Sequence, residues 1–207
     1  MSLSYLEADI SQSGMDFDFG DDYETKHSYL NSIGLNGSVQ LSTTPISSLL
    51  VQVIFVIDIS ISSHSIKEYL NTLPADIYSL NQIQNSIHLS SQHRSIVRLQ
   101  ELPDSNDIEL SNETTEKDIM MNNIFVPGEK AFHKLILQDS KGSLFYGIEI
   151  QRIDFISMLL PIGTKLLLKN VKFSDGMALL EPINVKYLGG RIDALDRNSR
   201  KNLYSYV

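Results

Sequence analysis

The sequence predicts an all-β fold: five strands closing into a barrel, with a short helical lead-in and a long, partly disordered insertion between strands 1 and 2. Three observations predict it. The apolar run Leu49–Ile59 is rich in β-branched and aromatic residues and reads as a strand buried on much of both faces. Two turn signals, Asp139-Ser140-Lys141-Gly142 and Ser174-Asp175-Gly176, each lie between strand-like segments and mark hairpins. Between the hairpins, Asp154 is placed to cap a short helix through Leu160, which Pro161 and Gly163 would end.

Taken in order, residues 1–22 are rich in Ser, Asp and Gly without a sustained apolar period, and predict a disordered acidic tail. Residues 23–45 form the lead-in, where Tyr23, His27, Leu30 and Ile33 share a helical face before Gly34. In the first strand, Leu49, Val51, Val53, Phe55, Ile57 and Ile59 fall on one side, and Leu50, Ile54 and Val56 on the other. A helix then runs from Ile61 to Leu73, closed by Pro74. Residues 75–128 are polar and read as the insertion; within them Ile77, Leu80, Ile83 and Ile87 are spaced for one amphipathic helix over 77–89. Leu102–Lys117 reads as disordered, and Ile119, Met120, Met121, Ile124, Phe125 and Val126 make a compact apolar cluster. A loop of this length is usually functional or a linker.

From Lys130 the chain reads as β structure with tight connections. Phe132–Gln138 pairs with Leu144–Ile150, and Thr164–Phe173 pairs with Met177–Leu180. Pro182 requires that last strand to bend, reach an edge or end. Val185–Leu188 extends to Gly189-Gly190, and the mixed C-terminal tail, 196–207, is compatible with a terminal helix. The domain thus spans 46–195. Its order of strand, hairpin, helix and hairpin is the layout of an OB-fold barrel.

Composition narrows the function. The chain has 207 residues, 42% of them hydrophobic, enough for one sizeable core. Gln52 and Asp58 interrupt the longest apolar run, so no membrane span is expected, and the acidic start does not resemble a secretion signal. With no cysteine, thiolate metal sites, disulfides and cysteine catalysis are excluded. The five histidines show no metal-ligand spacing, and neither a nucleophile elbow nor a phosphate loop is present, so no cofactor, metal or catalytic residue is expected. Charge divides the chain: residues 1–129 carry eighteen acidic and five basic residues, a net −13, whereas 130–207 carry twelve basic and seven acidic, a net +5. That asymmetry suits a protein working beside DNA better than one coating it.

Specific words in the chain then point to a family. "LPIGTKLLLKNVKFSDGMALLEPINVKYLGGRIDAL", Leu160–Leu195, resembles the most recognisable segment of the RecQ-mediated genome instability protein 1 family. Its Pro-x-Gly-Thr-Lys turn is Pro161–Lys165, its Leu-Leu-x-Pro-x-Asn-Val element is Leu179–Val185, and its Leu-Gly-Gly signature is Leu188–Gly190. "LVQVIFVIDISISSHSIKEYL", Leu50–Leu70, is similar to the family's first strand, and "LFYGIEIQRI" to the strand before the helix. The short form looks like the fungal branch. The resemblance implies a non-catalytic, nuclear OB-fold subunit that binds topoisomerase III, a type IA enzyme, and works with a RecQ-family helicase in double Holliday junction dissolution. It also implies that the loop between strands 1 and 2 modulates the topoisomerase gate and favours decatenation.

On the same resemblance Lys165 is a candidate for the topoisomerase surface, beside the ordinary reading of a solvated strand-end lysine. Ile119, Met120, Met121, Ile124 and Phe125 are candidates for a docking segment that orders on contact, or else fold back over the barrel's open edge. Gly189 and Gly190 permit close backbone approach or serve a positive-φ turn. Lys169, Lys172, Lys186 and Arg191 are candidates for weak, salt-sensitive DNA contact, with DNA met mainly through the complex. The alternative function is an autonomous single-strand binder, which would stack bases on exposed aromatics; there is no tryptophan to do so.

Overall fold

A computed structural model describes residues 3–12, 16–31, 45–85, 125 and 131–207. Strands β1 (Leu3–Ser4) and β2 (Phe17–Asp18) precede helix α1 (Tyr23–Leu30). Then come β3 (Ile46–Asp58), α2 (Ser63–Thr72), a helical stretch over 80–85, β4 (His133–Asp139) and β5 (Leu144–Glu149). The chain continues through β6 (Lys165–Ser174), β7 (Met177–Leu180), β8 (Val185–Gly189), α3 (Asp193–Asp196) and α4 (Ser199–Tyr206).

The sheet runs β3-β4-β5-β7-β6-β8 and closes through a further β3–β6 pairing. This is the five-stranded OB barrel, with β8 added beside β6. Closure depends on β3 serving two ladders: Ile46–Gln52 pair with β6, and Val51–Asp58 pair with β4. The β4–β5 hairpin turns at the expected place, where Asp139 Oδ1 accepts from the amides of Lys141 and Ser143. The β6–β7 hairpin turns at Asp175-Gly176, both at positive φ. β7 ends at Leu180, before Pro182, as the missing donor requires.

Strict alternation along β3 fails at one point. A bulge between Val53 and Phe55 shifts the register by one residue. Leu49, Val51 and Val53 face the barrel interior, and past the bulge it is Val56 that joins them. Phe55 instead enters a second core outside the barrel, with Ile66, Tyr69 and Leu70 of α2, Leu80, Ile83, Phe125, Met158, Ile162 and Leu203 of α4. The assignment of Phe55 and Ile57 to the side of Leu49 is therefore corrected, because alternation cannot report an inserted residue.

Three further expectations differ. Asp154–Leu160 is not a helix: its bonds are single turns, Ile156 N to Ile153 O and Leu160 N to Ser157 O. So short a segment gains little from helix formation, and here its apolar side chains divide between both cores, Ile153, Ile156 and Leu160 inside the barrel and Met158 and Ile162 outside it. Residues 4–12 and 16–22 are not a free tail either, since Ile10 is fully buried and Phe17 nearly so. The start of the expected insertion also belongs to the body: Leu80 and Ile83 are buried, while Leu102–Lys117 lies outside the described residues, as does 86–89 of the expected helix.

Phe55→Ala should cost about 3–5 kcal/mol in denaturant unfolding, the range for emptying a packed aromatic site. A loss below about 0.5 kcal/mol, normal for a surface position, would refute the second core.

Candidate binding surface

Three of the segments that carry the resemblance, the first strand, the Pro161–Lys165 turn and the Leu188–Gly190 signature, meet at one end of β6. Gly163 N donates to Val53 O and Val53 N to Thr164 O, which joins the Pro161–Lys165 turn to the bulged strand. Thr164 Oγ1 donates to Pro161 O and to Gly190 O, bringing in the Leu188–Gly190 signature. Ile192 N donates to Ile162 O, and Arg191 N to Leu6 O. Gly190 has φ +93°, and a Cβ there would lie 2.3 Å from Leu6 O; a Cβ on Gly163, at φ +87°, would lie 2.5 Å from Ile192 Cγ1. Gly190 thus serves the positive-φ turn, and the backbone that lies closely against it is Leu6 of the chain's own N-terminal segment.

Lys165 lies within this knot. Neither sequence reading placed it there: it is 0% exposed, and its Nζ donates to Gly163 O at 2.6 Å. Burial lowers its pKa from the ordinary lysine value to about 8, opposed by the charge of Asp9. Asp9 belongs to a small polar network. Gln52 Nε2 donates to Asp9 Oδ1 and to Gln138 Oε1, Gln52 Oε1 accepts from Ile10 N, and Asp9 Oδ1 also accepts from Ser11 N and Oγ. Burial pushes the Asp9 carboxyl up, but the bonds from Ser11 and Gln52, with the charge of Lys165, outweigh it and hold it low.

The candidate DNA-contacting cations do not gather into one patch. Lys169 pairs with Glu24 of α1 at 2.5 Å, and Arg191 Nε with Asp193 at 2.7 Å. Lys169 and the exposed Lys172 line a groove of about 390 Å³ with Glu181, Ile183, Asn184 and Ile150; Ile183 is 88% exposed. Lys186 stands on β8, directly across from Leu167 of β6. Exposed rings are present but dispersed: Tyr23, Tyr78, Phe132, Tyr204 and Tyr206 lie off the barrel strands, and only Tyr146 and Tyr187 stand on described strands. Tyr146 on β5 is exposed, but Lys134 Nζ sits 3.9 Å from its ring centroid, and Tyr187 packs against Phe155.

Of the apolar candidates, Ile119, Met120, Met121 and Ile124 lie outside the described residues. Phe125 is 2% exposed and meets Tyr69 edge-on, with ring centroids 5.2 Å apart. It is a core residue, not a surface available for docking.

The residue that sequence reasoning undervalued is Arg200. Its guanidinium donates to Leu70 O and Leu73 O through Nη2 and to Pro74 O and Ile77 O through Nη1, at 2.5–3.2 Å. These are carbonyls at and beyond the end of α2, which a helix leaves without partners. Arg200 N also donates to Tyr78 O, and Ser199 Oγ accepts from Leu80 N while donating to Asp196 Oδ1. Helix α4 therefore holds the root of the 86–124 segment on the barrel. No local signal reveals this, because the partners stand more than 120 residues away in the chain.

The other buried ionisable pair, His133 and Glu149, serves the barrel. Glu149 Oε2 takes His133 Nδ1 and the His133 amide, and Oε1 takes Ile153 N, tying β4, β5 and the following turn together. Among the described residues, no group of three or more His, Asp or Glu is placed to hold a metal ion, and no helix is long and apolar enough to cross a membrane.

A family model described as "RMI1, N-terminal OB-fold domain" matches residues 35–203. Over 155 residues the chain is 31% identical to RecQ-mediated genome instability protein 1 of Schizosaccharomyces pombe, an alignment covering 73% of this chain and 59% of that protein. The chain thus spans less than two thirds of that relative's length.

Two outcomes are expected of this geometry. Arg200→Met should lose about 2 kcal/mol, the scale of charged hydrogen bonds, and amide exchange should accelerate over 70–80 more than in β4; uniform acceleration would deny the anchoring role. Because the folded pKa of Lys165 lies near 8, below its unfolded value, the unfolded chain holds more protons between about pH 8 and pH 10.5. Wild type should therefore gain stability relative to Lys165→Met as pH rises through that window, read as the difference of their melting temperatures. A pH-independent difference would contradict the buried placement.

Proposed function

This chain belongs to the RMI1 N-terminal OB-fold family, and on that premise we propose that it is a non-catalytic genome-stability subunit of the RecQ pathway. It binds topoisomerase III, promotes decatenation and the dissolution of double Holliday junctions, and acts in the nucleus beside a RecQ-family helicase. The observation that carries the reading is the position of the long excursion, residues 59–132, between the first and second barrel strands, β3 and β4. The root of that excursion is anchored: α2 and 80–85 pack on the second core, and Arg200 and Ser199 bind their backbone. A segment presented from a fixed root can favour one gate state of a bound enzyme over another, and that differential affinity shifts the gate equilibrium without chemistry of its own.

Autonomous single-strand binding has less support. Binders of that kind combine a positive groove with free aromatic faces. Here Lys134 covers Tyr146, and the cations of β6 and β8 are divided between the groove and the face met by α1.

The test is decatenation of singly linked DNA circles by the cognate topoisomerase III, with and without the protein, beside a titration on single-stranded DNA. Stimulation with weak intrinsic DNA affinity is expected; tight DNA binding without stimulation would reverse the assignment. Replacing 86–124 by a short linker, leaving Leu80, Ile83 and Phe125 in place, should preserve the cooperative unfolding of the barrel and abolish stimulation.

A further inference from the structure

The outer face of the β3–β6–β8 sheet is unusual for a surface. Residues directly opposite in an antiparallel pair share a face, so the pairs Ser48–Lys169, Leu50–Leu167, Gln52–Lys165 and Leu167–Lys186 set one row of side chains. Their neighbours Leu49, Val51, Leu166 and Leu168 fill the barrel, so this row points outward. It carries two leucines and three lysines, yet Leu50, Leu167, Gln52 and Lys165 are all 0% exposed.

What covers them is the acidic N-terminal segment. Helix α1 lies against β3, with Asn31 Nδ2 donating to Ser48 O, and Ile10 N and Asp9 bind Gln52. Of the lysines of the row, Lys169 pairs directly with Glu24 of that segment, and the charges of Asp9 and Asp22 lie within electrostatic reach of Lys165 and Lys186. Ile10 and Phe17 supply buried apolar side chains while belonging to neither core. Among the described residues β1 and β2 pair only with each other, over two residues each, so the cover has little ladder bonding of its own. Segments held by few backbone bonds open at low free-energy cost.

We propose that the outer face of β3–β6–β8 is a docking surface for an acidic peptide of a partner protein that carries a few apolar side chains, and that residues 4–12 and 16–31 are a displaceable internal copy of that ligand. A nucleic acid would match the lysines but leave Leu50 and Leu167 without apolar partners. The acidic segment already seated there matches both. This inference is independent of the topoisomerase reading, which rests on the 59–132 excursion beyond the other end of β3.

The full chain is tested by fluorescence anisotropy against a labelled synthetic peptide of residues 4–31, and in parallel against a labelled single-stranded oligonucleotide. Asp9→Asn with Glu24→Gln removes two charges from the internal cover while keeping side-chain shape. That variant should bind the peptide up to about five-fold more tightly than the unaltered chain, the scale of partly exposed ion pairs, and adding Lys169→Glu should cancel the gain. Amide exchange should quicken over 4–12 and 16–31 and stay unchanged in β6. If the double variant does not fold, Glu24→Gln alone, at a half-exposed side chain, should still give a gain of about two-fold. Equal peptide affinity across folded variants would overturn the proposal by making the cover a fixed part of the body. A gain for the oligonucleotide without one for the peptide would overturn it in favour of a nucleic-acid face.

Discussion

The architecture depends on one strand belonging to two ladders. Strand β3 pairs with β6 through its first half and with β4 through its second, and the barrel closes only because both pairings are made by the same continuous backbone. The bulge between Val53 and Phe55 lies within the β4 ladder, just past the last pair with β6 at Gln52. It bends the strand and turns its side chains by one position, so β3 serves the barrel interior and an outside core in succession. The Thr164 and Gly163 backbone bonds to Val53 sit on that same residue. The Pro161–Lys165 turn is in this sense the clasp of the barrel, which accounts for its residue types without assigning any of them to a partner.

Lys165 shows how a residue suited to a surface can end inside. It stands on the outward face of β6 and would be solvated on a bare barrel. The N-terminal segment closes over it, and the cost of burial is offset by Asp9 and by the bond to Gly163 O. Among described side chains no buried nitrogen or oxygen lacks a partner, so the covered face is satisfied throughout. Leu50 and Leu167 supply the apolar part of the same contact. An acidic segment over an alternating Leu and Lys row combines both kinds of matching, which neither a disordered tail nor an ordinary solvated sheet face would provide.

Much of this fold is legible in the residues. Alternation, turn tetrapeptides and the position of Pro182 locate all five barrel strands, because those features act over neighbouring positions. What escapes is decided at a distance. The bulge is set in the pairing of β3 with β4, a strand far along the chain, and the turns over 154–160 depend on two cores dividing one short segment. The N-terminal cover is invisible because its few apolar residues, Ile10 and Phe17, have no period of their own and match a surface assembled from strands far along the chain. The candidate site divides the same way: the Gly163 and Gly190 conformations follow from their neighbours, whereas the burial of Lys165 and Phe125 and the reach of Arg200 do not.

The hold of Arg200 also bears on the order in which the protein is made. The carbonyls of Leu70, Leu73, Pro74 and Ile77 leave the ribosome well over a hundred residues before the guanidinium that binds them. Until Ser199–Tyr206 are free to form α4, the nascent chain carries the end of α2 and the stretch around Leu80 without their partner. Completion of the second core thus waits for α4, and the interval before it is when the apolar residues around Phe55 are most open to chaperones and to misassembly.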